Sequence, residues 1–409
     1  MKRLSILSLI IIVSLSAYAI NEEKETAKES GSASFQPKPL ADEWSKWLVG
    51  QWEGSFESDV GTGKIRTKIE FGLNGQFLIM KSEAEITEIT DKQRQYLKET
   101  LYASDEYIEK FQNWIFEELQ IHTIDPKTGE RIAYFYDSQR CIATGKGKLK
   151  GNKEIMEWVW SVIAQGTTSL SIIEKINDNK IVLNHKYTLP DGNKMEAKTE
   201  MTRKKETVKD SSSHSFSLKP LDDEWSKWLV GKWKAVSGQS DFLGDESEDV
   251  GESSEEGAAG FTIELALNGQ FLIWKPWAET GEITEITDEQ REYLKDALRG
   301  VSDEDIERFL SMPYKSMQIQ TIDPTTGERI AYVFDSLRCI AKGTGRLEGN
   351  KEIMEWEWSV TSQGVTSVSI MEKINDNTFT ASMKYTLPNG KKMEEKLEMT
   401  RKKTITEGH

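Results

Sequence analysis

The chain has 409 residues and a formal net charge of −15. That length exceeds what one compact core accommodates and suits two domains with linkers. The acidic balance repels nucleic acid and anionic lipid at long range, so neither is an expected partner. The 13 tryptophans supply abundant aromatic surface, and with only 2 cysteines a disulfide framework is excluded.

Met1, Lys2 and Arg3 form a short cationic start, and residues 4–16 form an apolar run too short to span a bilayer comfortably. Ala17-Tyr18-Ala19 then offers the small residues at alternate positions that a signal peptidase accepts. Residues 1–19 are therefore expected to be a signal peptide cleaved after Ala19, giving a secreted or periplasmic protein with no membrane insertion after cleavage. An uncleaved anchor is the alternative. Residues 20–38 are polar and read as a flexible linker.

An internal repeat follows. Asp42-Glu43-Trp44-Ser45-Lys46-Trp47-Leu48-Val49-Gly50 recurs as Asp223-Glu224-Trp225-Ser226-Lys227-Trp228-Leu229-Val230-Gly231. Thr123-Ile124-Asp125-Pro126 recurs as Thr321-Ile322-Asp323-Pro324. Two copies of one domain are expected over residues 39–205 and 220–404, joined by a linker at 206–219. The second copy is lengthened by a run at 241–257 dense in Asp, Glu, Ser and Gly. It reads as a solvated acidic loop, because it lacks the ordered ligand spacing of a calcium loop.

Asn74-Gly75, Asp125-Pro126, Gly151-Asn152, Asp178-Asn179 and Asp191-Gly192 punctuate the first copy at the interval of a β-meander, with about ten strands per copy. The expected fold class is mainly β: two tandem up-and-down antiparallel barrels, each with a short helical insert. That insert falls at 91–115, where Thr90 with Gln93 fits a capping box and Ile108 with Phe111 has helical spacing. In the second copy, Thr287 with Gln290 and Ser302 with Asp305 repeat the capping signal. The two short helices cover either a barrel mouth or its outer wall.

Strand parity nominates interior residues. In the strand after Gly151-Asn152, Trp158 and Trp160 share one face, while Val159 on the other becomes Glu357 in the second copy. Trp158, Trp160, Trp356 and Trp358 therefore point inward, as cavity lining or as plain core. His185 and Tyr187 share an inward face, with Met383 and Tyr385 as counterparts, and Tyr134 and Tyr332 are assigned to the same aromatic lining. In the last strand Met195, Ala197, Thr199 and Met201 face inward, and Glu395 replaces Ala197 in the second copy. A buried carboxyl needs a partner, so Glu395 marks a ligand contact, an internal salt bridge or a register change.

Cys141 and Cys339 occupy matching places, so no disulfide forms within one domain. They are either small buried residues or a cross-link between the copies. His122, His185 and His214 have no histidine counterparts in the other copy, which excludes a shared metal cluster or Ser-His-Asp arrangement. No catalytic residue, metal ligand or cofactor is assigned.

Gly50-Gln51-Trp52 and Gly231-Lys232-Trp233 resemble the Gly-x-Trp signature that opens lipocalin-like barrels, and Arg203 and Arg401 carry the inward parity of Met201 and Met399 to the end of the last strand. In those families such an Arg packs over the first-strand Trp, which implies the closing pairs Trp52 with Arg203 and Trp233 with Arg401. The chain thus resembles the calycin group. It is similar over nearly the whole repeat to uncharacterised bacterial lipocalin-like domains, notably from Tyr136-Asp137-Ser138 to Gly145-Lys146-Gly147. It departs from classical lipocalins in lacking a Thr-Asp-x-x-Tyr motif and in the helices that interrupt the meander.

The resemblance implies a protein that takes a small apolar or aromatic ligand into its barrels, and this fold hosts both binders and enzymes. Three alternatives stay open: a non-enzymatic envelope interaction module with solid barrels, haem binding through His185 in the manner of nitrobindin, and a barrel enzyme with a carboxylate acid or base.

Overall fold

The computed structural model describes residues 39–100, 104–112, 115–204, 220–240, 259–278, 315–360, 363–386, 390 and 392–402. The expected signal peptide, both linkers, the acidic loop, the second copy's helical capping pairs, His214 and His409 lie outside the described residues.

In the first repeat a short helix, α1 (Glu43–Leu48), leads into β1 (Gly50–Ser58), β2 (Gly61–Gly72) and β3 (Phe77–Glu88). Helices α2 (Asp91–Thr100) and α3 (Asp105–Phe111) follow, then β4 (Ile115–Ile124), β5 (Arg131–Asp137), β6 (Cys141–Lys150) and β7 (Lys153–Val162). Strands β8 (Thr168–Asn177), β9 (Lys180–Thr188) and β10 (Lys194–Arg203) complete the set. Each strand pairs with its sequence neighbours and β10 returns to β1, closing a ten-stranded antiparallel barrel.

The second repeat builds the same closed barrel. It consists of α4 (Glu224–Leu229), β11 (Gly231–Ser240), β12 (Ala259–Ala266), β13 (Phe271–Ala278), β14 (Ser316–Ile322) and β15 (Arg329–Asp335), followed by β16 (Cys339–Glu348), β17 (Lys351–Val360), β18 (Thr366–Asn375), β19 (Thr378–Thr386) and β20 (Lys392–Arg401).

One end of the first barrel is a floor. Asp42 caps α1 by accepting the Ser45 N–H at 3.0 Å, which satisfies a backbone donor that the helix leaves open. Trp44 and Leu48 of α1 then pack on Trp52, Ile69, Leu78, Ile181 and Met201 from inside the barrel. The Arg203 guanidinium lies 4.3 Å from the Trp52 ring centre, and Arg401 lies 4.2 Å from Trp233. Gly50 explains the tripeptide that opens β1. Its φ of +140° disfavours any side chain, and a Cβ there would sit 2.5 Å from Arg203 Nη1.

The other end of the first barrel carries the helical insert. Thr90 and Gln93 form a reciprocal capping box, with Thr90 N–H donating to Gln93 Oε1 at 2.8 Å and Gln93 N–H to Thr90 Oγ1 at 3.3 Å. Leu97, Ile108 and Phe111 from α2 and α3 pack on Ile86, Phe56 and Phe116. Those three belong to the inward parity of β3, β1 and β4, so the helices cover the barrel mouth rather than its outer wall.

Candidate functional site

The register sorts each interior into layers between floor and mouth. In the first barrel, β4 contributes His122, Gln120 and Glu118 in that order, and β5 contributes Arg131, Ala133, Phe135 and Asp137. From β7 come Glu154, Met156, Trp158 and Trp160, and from β9 come Leu183, His185 and Tyr187.

Tyr134 is not among them. It pairs with Thr144, which pairs with Val159, and Val159 is 61 % exposed. Tyr332 pairs with Lys342, which pairs with the exposed Glu357. Both tyrosines therefore sit on the outer parity of the wall, and the cavity lining expected of them is corrected. The segments Arg131–Asp137 and Arg329–Asp335 lack clean alternation, so their inward face follows from pairing rather than from pattern.

Trp158 and Trp160 are buried side by side, each fixed by its indole N–H, which donates to Ser171 Oγ at 2.8 Å and to Ser169 Oγ at 2.9 Å. Trp356 and Trp358 repeat this with Ser369 at 2.8 Å and Ser367 at 3.0 Å. Gly145 leaves the space Trp158 needs, since a Cβ there would meet the indole at 2.7 Å.

Above the floor of each barrel lies a buried ion cluster of residues not nominated from the sequence, although Glu154 shares the strand parity of Trp158. Glu154, 1 % exposed, accepts the Trp44 indole N–H and faces His122 Nδ1 at 3.6 Å and Arg131 Nη1 at 3.8 Å. Arg131 also reaches Asp42 at 2.5 Å, tying α1 to the wall. Burial pushes the Glu154 carboxyl up, but His122, Arg131 and Trp44 outweigh it and hold the group below the ordinary value. In the second barrel Glu352 pairs with Arg329 Nε at 3.1 Å and accepts Gln320 Nε2 at 2.6 Å. With neutral Gln320 where the first barrel has His122, burial wins and the Glu352 carboxyl is raised.

Closer to the mouth of the first barrel, Glu118 and Asp137 are cross-strand partners on the inner face. Asp137 Oδ1 accepts the N–H groups of Gln139 at 2.8 Å and Cys141 at 2.9 Å. Burial lifts Asp137 to about 6 against those hydrogen bonds, and burial together with the Asp137 charge lifts Glu118 to about 7. Tyr187 and His185 stand nearby with their rings stacked at 4.2 Å. His185 is held by Ser169 at 2.9 Å on Nε2 and by the Tyr187 hydroxyl at 3.2 Å on Nδ1, and burial lowers it to about 4. Both ring nitrogens are thus engaged, which opposes the haem alternative.

The second barrel keeps Asp335 in the place of Asp137 and exchanges other groups around it. The repeat places Ser316 at Glu118, Met383 at His185 and Glu395 at Ala197, while Tyr385 keeps the place of Tyr187. A cavity of about 150 Å³ lies inside, walled by Trp274, Trp356, Trp358, Phe379, Met383 and Leu397 and reached by Tyr385 and Glu395. Glu395 is 3 % exposed, and the β19–β20 register runs through it without a shift. Among the described residues its Oε1, the Tyr385 hydroxyl and the Trp274 indole N–H have no hydrogen-bond partner. Burial raises Glu395 well above the ordinary carboxyl range.

Cys141 and Cys339 are both buried thiols outside any disulfide. Among the described residues no three His, Cys, Asp or Glu side chains gather as metal ligands, and no helix is long and apolar enough to cross a membrane.

No family model and no curated protein matches the chain. Solved structures similar to it include a redesigned β-barrel, mFAP1, bound to DFHBI, at 10% identity and TM-score 0.19, covering 40% of this chain and 100% of that one. An S-type phycobiliprotein lyase from Guillardia theta matches at 8% identity and TM-score 0.27, over 40% of this chain and 93% of that one. A protein of unknown function from the DUF3598 family of Nostoc punctiforme matches at 8% identity and TM-score 0.19, over 89% of this chain and 100% of that one.

Proposed function

We propose that this is an exported protein whose barrels are lipocalin-like and hold a small apolar or aromatic ligand. The observation that carries the reading is the second barrel's interior, an aromatic cavity of about 150 Å³ with few polar groups. A cavity of roughly that size is large enough for a benzene-sized guest. Trp158, Trp160, Phe135 and Tyr187 give the first barrel walls of the same character.

Native mass spectrometry and an absorbance spectrum of protein purified from its own envelope fraction test the reading. A discrete added mass, with an N-terminus at Ile20, supports it. Clean apo protein whose tryptophan fluorescence ignores a panel of small aromatics and lipids overturns it and leaves the solid-barrel interaction module.

One observation favours a second reading for the first barrel alone. Glu118 and Asp137 are paired inside it with carboxyls raised to about 7 and about 6, the condition under which one acid can give a proton while its neighbour takes one. Turnover of a bound small molecule that disappears in Glu118→Gln and Asp137→Asn would establish acid–base chemistry there.

A further inference from the structure

The second barrel leaves a defined hydrogen-bonding need unmet. Among the described residues that line its cavity are two carboxyls, Glu352 and Glu395, and no lysine or arginine. Glu352 is answered by Arg329 and Gln320. Glu395 is not: its Oε1 and the neighbouring Tyr385 hydroxyl are buried without a partner among the described residues. A buried oxygen left without a donor costs on the order of 1–3 kcal/mol, so a ligand that supplies donors at this spot gains what the empty barrel forgoes.

What surrounds those oxygens narrows the donor. Trp274, Trp356 and Trp358 stand around the cavity with Phe261 and Phe379, and the Trp358 and Tyr385 ring centres are 6.4 Å apart. A neutral amine entering beside the buried Glu395 acid takes its proton, and the resulting ammonium is held by the carboxylate and attracted by the aromatic faces around it. We propose that the second barrel binds a small organic amine as its ammonium ion, with the charge on Glu395 and Tyr385 and the carbon skeleton among the tryptophans. This deepens the ligand-binding reading above and rests on it.

The first barrel carries an independent sign of the same demand. Its carboxyl beside the equivalent tyrosine, Glu118 beside Tyr187, enters from β4, where the second barrel has Ser316. Glu395 instead enters from β20, where the first barrel has Ala197. Burial raises the tyrosine in each barrel, and the charge of the nearby carboxyl adds to that shift, from Glu118 with Asp137 on Tyr187 and from Glu395 on Tyr385. Asp137 keeps its place as Asp335, and the second acid near the tyrosine is retained although the residue and strand that supply it change. A packing requirement would preserve the position; a charge requirement preserves only the place the charge reaches.

The test is titration of the full chain with benzylamine, benzyl alcohol and benzoate, read by calorimetry and tryptophan fluorescence. These probes share a ring and differ in charge. Benzylamine is expected to bind roughly tenfold tighter than benzyl alcohol, with benzoate weakest. Glu395→Gln is expected to lose that preference while keeping benzyl alcohol affinity, which also shows that the variant barrel is folded. Benzyl alcohol binding as tightly as benzylamine, or a benzylamine preference unchanged in Glu395→Gln, overturns the amine assignment and leaves the cavity reading standing. Failure of all three probes removes both.

Discussion

The Arg203 guanidinium lies over the Trp52 ring at 4.3 Å while its Nη1 donates to the Val49 carbonyl at 2.6 Å and its Nη2 to the Trp47 carbonyl. One side chain at the end of the last strand therefore seals the first strand, closes the barrel floor and satisfies the carbonyls at the end of α1. Arg203→Ala removes a cation–π contact and charge-assisted hydrogen bonds together, and is expected to destabilise the first barrel by about 2–4 kcal/mol. Arg203→Lys is expected to recover little, because an ammonium cannot stack on the indole and fork to two carbonyls at once. Urea unfolding of the full chain, followed by tryptophan fluorescence, checks both.

The two buried ion clusters predict unequal responses to the same substitution. Arg329→Met leaves Glu352 with only the neutral Gln320 and is expected to cost about 3–5 kcal/mol. Arg131→Met leaves Glu154 with His122 and the Trp44 indole, and is expected to cost less. Thermal unfolding of the pair of variants in parallel decides it; equal losses would mean that His122 does not support Glu154.

The acids near the first mouth give the barrel a pH dependence with a calculable sign. Glu118 is raised from 4.5 to about 7, so the folded chain keeps a proton that the unfolded chain has released within that window. The Glu118 contribution to the first barrel's stability is therefore expected to be fully present below pH 4.5 and to fall as pH rises through 7, by up to on the order of 3 kcal/mol. His185, lowered from 6.5 to about 4, acts oppositely: its contribution is present above pH 6.5 and is lost as pH falls through 4. Glu118→Gln should flatten the loss between pH 5 and 7 and expose the histidine slope. Unfolding free energies measured at intervals across pH 4–8 check the prediction.

Both thiols should be silent in the native state. Cys141 and Cys339 are buried, and burial together with the Asp137 charge holds the Cys141 thiol well above its ordinary range. Ellman's reagent is expected to find almost no reactive thiol in the native chain and 2 per chain after denaturation. Fewer than that on denaturation under non-reducing conditions would mean a disulfide.

What the amino-acid sequence determined by itself is periodic and local. Tandem duplication showed in the recurrence of Asp42–Gly50 as Asp223–Gly231, and the β-meander in hairpin turns spaced along each copy. Alternation placed Trp158, Trp160 and His185 inside because a closed wall has two faces and neighbouring side chains point to opposite ones. Glu154 shares the parity of Trp158 but sequence alone did not assign it inward, because a charged side chain on its own gives no sign of the buried partners that allow it there.

Pairing between strands decided the rest. Tyr134 faces outward because its partner Thr144, and Val159 that pairs with Thr144 in turn, do so, and no alternation within β5 announces that. Glu118 meets Asp137 only through the register of β4 against β5. Glu395 was legible as an inward carboxyl, but its solitude was not: whether a buried charge finds a partner depends on residues brought near it from distant strands. Sequence periodicity specifies which way a side chain points, and only the closed barrel specifies what it meets there.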